Sequence, residues 1–179
     1  MCDININVQF ELCTTLKSEL EKIDAFHRKL LKRLLNIYYP RMISNMNLYN
    51  YTNEVPISLL ILKRKWLFFG NLLRQNHMAP FNVLLREYIN MVNNNIYHSD
   101  RGCSKNSIPE ILHHDLLHLS NDIKLIIIGE CELDNQFVFD LVKIEHYNRL
   151  RNLAMNKTYW KFFVRKIVEE RTFSYFQIV

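Results

Sequence analysis

A chain of 179 residues is long enough for one domain or for two small helical ones. Apolar residues make up 49% and charged residues 23%, which excludes an intrinsically disordered polymer, and only three glycines and four prolines argue against a turn-rich β architecture. The net charge of +5 is unevenly spread: Phe26 to Lys105 holds twelve Lys and Arg against Glu54, Glu87 and Asp100, a local +9, and the rest carries −4. A basic middle between acidic flanks fits a polyanion footprint, and fits solvated helix faces equally well.

The opening MCDININVQF has neither the basic nor the apolar region of a secretory signal. The longest apolar run, Ile123 to Ile128, is too short for a bilayer and contains Lys124. The expectation is an intracellular protein, cytoplasmic or nuclear, with no membrane partner. Cys2, Cys13, Cys103 and Cys131 form no CxxC pair and read as reduced thiols. Asn is frequent alongside Ile, Lys, Tyr and Phe, a bias that reads as AT-rich coding and lowers the weight of any single Asn.

Taken in chain order, Leu16, Leu20, Ile23, Phe26, Leu30, Leu31, Leu34 and Leu35 recur at helical spacing with cations between them. They predict an amphipathic helix ending near Tyr39, before Pro40. Ser44 suits the cap of a short helix through Tyr51. Pro56 and Ser58 open a helix from Leu59 to about Gln75, with Leu60, Trp66, Phe69 and Leu73 as apolar positions. Pro80 begins another, to about Met91. Residues 93–107 are polar and read as a linker between an N-terminal helical part, 1–92, and a C-terminal one, 108–179. Ser107-Ile108-Pro109-Glu110 has the composition of a capping box for a helix to about Leu119. Leu125 to Ile128 fits a short buried strand or a helical turn. Phe137 to Ala154 and Thr158 to Arg171 are predicted helices, the second with a stripe of Trp160, Phe163, Val164, Ile167 and Val168. The expected fold is all-α, an irregular multi-helix domain with at most a minor short strand.

Several stretches resemble, in order, the region downstream of the polymerase in non-LTR retrotransposon proteins. They are Ala25 to Ile37, Ile43-Ser44-Asn45 with Leu48-Tyr49 and Thr52, and Pro56-Ile57-Ser58. Lys65-Trp66 with Phe69 to Arg74 follows, then Arg101 to Lys105 with Ile108-Pro109 and Asp115-Leu116, and Leu150 to Ala154 with Trp160 and Val164. Together they span roughly Phe26 to Val168, and order and spacing make the joint match more specific than any one piece. Asn71, Cys103 and Asn156-Lys157 depart from the family's usual residues. The resemblance implies a helical tail beside a reverse-transcriptase domain, in a nucleic-acid context and without a metal.

Catalytic machinery is not expected. Polymerases hold two metals with clustered carboxylates, and the family's polymerase carries paired aspartates, yet the chain contains no Asp-Asp. No P-loop, GxSxG or HExxH occurs either. His113, His114 and His118, with Cys103 or Cys131, are the best metal candidates, but an exposed polar helix face explains them more simply, so no metal and no cofactor are expected. Three basic clusters suit phosphate neutralisation: Arg28, Lys29, Lys32 and Arg33; Lys63, Arg64 and Lys65 with Arg74; and Arg101 with Lys105. Tyr38, Tyr39, Tyr49 and Trp66 offer aromatic faces for unpaired bases. Helical spacing favours core roles for Trp66 and Phe69, and Trp160 reads as a core anchor.

Three functions are therefore open. One is a module gripping the backbone of RNA or DNA without sequence preference. The second is a structural or interaction module packed on a reverse-transcriptase domain, or a decayed element remnant with no independent activity. An enzyme built on the histidines comes last.

Overall fold

The computed structural model describes residues 17–94, 108–128 and 144–177. Among these residues there are eight helices and no strand, so the all-α expectation holds. The helices are α1 (Lys17–Leu34), α2 (Asn45–Thr52), α3 (Ile57–Arg74), α4 (Pro80–Asn93), α5 (Ile108–Leu117), α6 (Asn121–Ile128), α7 (Ile144–Met155) and α8 (Lys157–Gln177). None of the described helices is long and apolar enough to cross a membrane. The apolar run Leu125 to Ile128, readable as a strand, is helical in α6, whose start is capped where Ser120 Oγ accepts from Ile123 N. Residues 1–16, 95–107, 129–143 and 178–179 lie outside the description; they include the Ser107 cap, most of the expected linker and the Phe137 helix start.

Two asparagines set the first helix ends. α1 stops at Leu34, five residues before the predicted end near Tyr39, because Asn36 takes the left-handed conformation, φ 54°. Ile37 N then bonds to Lys32 O at 2.9 Å and Asn36 N to Arg33 O at 3.1 Å, the paired closure of a Schellman turn. Asn53, also at φ 54°, closes α2 in the same way, with Glu54 N to Tyr49 O at 3.2 Å and Asn53 N to Asn50 O at 3.4 Å. Asn tolerates this region better than other side-chain-bearing residues. At the other end of α2, Ser44 Oγ accepts from Asn47 N at 3.1 Å, as its position predicts.

The chain divides into two compact units. Unit 1 comprises 1–65 and 168–179; unit 2 is Trp66–Ile167. Unit 1 joins segments distant in sequence, and the boundaries between the units fall inside α3 and α8.

In unit 1, Leu31, Leu48 and Tyr49 form a buried cluster, covered by Leu35, Ile43, Tyr175 and Phe176. The end of α8 thus returns to α1 and α2. Asp24, fully buried, accepts from Ser58 N at 3.0 Å and Ser58 Oγ at 2.6 Å. Its carboxylate caps the positive end of α3 from a different helix. This anchor orients α1. Asp24, Leu31 and Leu35 share the inward face, whereas Phe26, Leu30 and Leu34 of the predicted apolar stripe are exposed.

Unit 2 is built around aromatic rings. Trp66, Phe69, Trp160 and Phe163 are buried, with Trp66 edge-on to Phe69 and Phe163 at 5.8 and 5.7 Å between centroids. Trp160 Nε1 donates to Trp66 O at 2.9 Å, which satisfies the indole in an apolar setting. Polar staples close the helix ends. Asn82, fully buried, turns its amide nitrogen to the carbonyls of Leu72, Gln75 and Asn76 at 3.0–3.3 Å and receives the Tyr147 hydroxyl at 3.3 Å. Arg151 donates to Leu73 O at 3.1 Å and Gln75 O at 2.9 Å, at the C-terminus of α3, and packs on His77. In exchange, Arg74 donates to Ala154 O at 2.9 Å, at the C-terminus of α7. Each arginine places its charge at the negative end of the other's helix.

Candidate nucleic-acid interface

On α1, Ala25, Arg28, Lys29, Lys32 and Arg33 are spaced 3, 1, 3 and 1 residues apart, so they occupy one flank of the helix. After the Asn36 turn the chain presents Ile37, Tyr38 and Tyr39 to the same space. These eight residues line a recess of about 510 Å³, and no acidic side chain is among them. Lys29 and Arg33 are exposed and Lys32 is half-buried. The recess lies at the negative end of the α1 dipole, but the Schellman bonds occupy the Lys32 and Arg33 carbonyls, and four cations outweigh a partial charge of about one half.

Arg28 serves two purposes. It lines the recess, and its Nη1 donates to the Tyr175 hydroxyl of α8 at 2.7 Å. Burial, and next the nearby Asp24 charge, raise the Tyr175 pKa well above the usual phenol value. Tyr49 is raised too, again mainly by burial. Burial thus favours the neutral form of both phenols. Tyr49, an aromatic face in the sequence reading, is buried beside His27, with ring centroids 5.8 Å apart, and is not open to a base.

The structure thus unites the first basic cluster and adds Tyr38 and Tyr39 to it. Lys63 and Arg64 are exposed and Lys65 half-buried on α3, also in unit 1, but none of them lines the recess. Arg74 is engaged with Ala154 O and with the Asn71 side chain in unit 2, so its visible role is structural. Arg101 and Lys105 lie outside the described residues, as do Cys103 and Cys131. Among the described residues no group of three His, Cys, Asp or Glu is placed to hold a metal. His113 Nδ1 is 3.0 Å from the Tyr88 hydroxyl.

Comparison with protein-family models, with curated proteins and with solved structures finds no match for this chain.

Proposed function

We propose that this chain is a non-catalytic helical segment of the kind that follows the reverse-transcriptase domain in non-LTR retrotransposon proteins, and that it binds RNA or DNA backbone through the α1 recess. The observation that carries the binding reading is the convergence of Arg28, Lys29, Lys32 and Arg33 on one concave surface without an acidic neighbour in its lining. Such a surface neutralises phosphates and displaces counterions, giving weak affinity without base discrimination. The origin rests on the ordered sequence resemblance. Several of its stretches, Trp66, Phe69, Arg74, Arg151, Ala154 and Trp160, meet in the unit 2 core, where they serve folding.

A salt titration tests the binding. Arg28 is the member of the cluster that bonds to α8, whereas Lys29 and Arg33 are exposed and Lys32 half-buried, so replacing these three with Gln leaves the fold intact. Log affinity should fall steeply with log salt in the native chain, and the variant slope should be shallower by roughly 0.7 to 0.9 per lost phosphate contact. An unchanged slope, or no binding at low salt, refutes the reading.

A second reading, docking onto a protein domain, is favoured by the exposed stripe of Phe26, Leu30 and Leu34 on α1, spaced at one turn each. A polymerase domain is the partner that the resemblance suggests.

A further inference from the structure

Tyr38 and Tyr39 stand at the recess with 59% and 89% of their surfaces open. Aromatic side chains so exposed are costly to leave in water without a partner. They are also held in place. The Asn36 turn fixes where the chain leaves α1, and Arg41 N bonds to Tyr38 O at 2.9 Å, closing a tight turn around the pair. Two tyrosines thus sit on a constrained turn beside a row of cations.

We infer that the recess is selective for unpaired nucleic acid, with the cations holding the backbone phosphates and Tyr38 and Tyr39 stacking on bases. This rests on the nucleic-acid reading above and adds to it the class of strand. The recess volume of about 510 Å³ is on the scale of a small-molecule site, roughly 300–1,000 Å³, and suits a nucleotide unit or two rather than the body of a duplex. In a duplex the π-faces of the bases are covered by their neighbours, and a tyrosine reaches them only after unstacking. In a single strand every base offers a face, and a positively charged track with interleaved aromatics is the arrangement that grips it without regard to sequence. Cations alone would hold either form; the tyrosines break that tie.

The test measures the full chain by fluorescence anisotropy against three probes of equal length: an oligothymidine strand, its duplex with oligoadenosine, and an abasic strand. The native chain should bind oligothymidine more tightly than the other two. A Tyr38→Ala/Tyr39→Ala variant should lose roughly thirtyfold or more on oligothymidine and nothing on the duplex or abasic strand. A Tyr38→Phe/Tyr39→Phe variant should retain native affinity, since a phenyl ring stacks as well. Circular dichroism checks that helix content is kept. An equal loss on all probes, or a duplex bound as tightly as the strand, overturns the single-strand inference while leaving backbone binding in place. If the native chain binds none of the three, the inference falls together with the reading beneath it.

Discussion

Gly70 and Trp160 meet so closely that a methyl group on Gly70 would fall about 2.6 Å from the indole Cε2. The indole cannot readily retreat, because its Nε1 is bonded to Trp66 O and its ring lies 5.3 Å from Phe163. Gly is unfavourable inside a helix by about 1 kcal/mol relative to Ala, so another reason must hold it in α3. Close approach of a large ring is that reason.

Gly70→Ala therefore sets two effects against each other. Helix propensity favours Ala by about 1 kcal/mol, and overpacking costs about 1–3 kcal/mol. With the ring pinned, the overpacking cost falls at the upper end of its range and the clash should win, lowering stability by up to about 2 kcal/mol in urea titration. A variant as stable as the native chain would mean that the indole moves aside.

The exchange of arginines between helix ends makes a second prediction. Arg151→Met should cost about 2–3 kcal/mol, because it strips the Arg151 donor from the carbonyl of buried Leu73 and leaves Gln75 O, which Asn82 also serves, with one donor fewer. Arg74→Met should cost about 1 kcal/mol, since Arg74 is half-buried and serves one carbonyl, Ala154 O. Lys should not rescue position 151, where a forked donor reaches two carbonyls at once. Denaturant midpoints of the variants rank the costs; equal losses at both positions would contradict the assignment.

Much of this fold was legible in helical periodicity. The helices at Ile57, Pro80 and Lys157, the Ser44 cap, and the core roles of Trp66, Phe69 and Trp160 all follow from spacing and capping chemistry. The basic flank of α1 was legible as well, since cations three and four residues apart share a face. What escaped was set by tertiary contacts. Asn36 and Asn53 end helices, but in an Asn-rich chain a single Asn carries little signal. Asn82 and Arg151 look like surface residues until the carbonyls they serve are seen. The apolar stripe of α1 misled because Asp24, a charged residue, fixes the inward face through Ser58. The recess itself needed the Asn36 turn, which brings Tyr38 and Tyr39 back toward the cations.

Tyr49 and Tyr175 give the protein an alkaline limit. Burial, with Asp24 adding to it, raises both phenol pKa values above the ordinary value of 10.0. In the unfolded chain each ionises near pH 10. A folded-state pKa above the unfolded one means that the folded state binds more protons between the two values. The stability from these groups is fully present below about pH 10 and is lost as pH rises toward the folded pKa. Urea midpoints should thus be flat from neutral pH to about 9.5 and then decline. Tyr49→Phe should make that decline shallower, because a phenyl ring fills the same buried space with nothing to ionise. Tyr175→Phe should do the same, at the cost of the Arg28 bond and so from a lower starting stability. The two variants together separate the titration from the packing. If the alkaline decline persists unchanged in the double Phe variant, groups other than these two tyrosines set the limit.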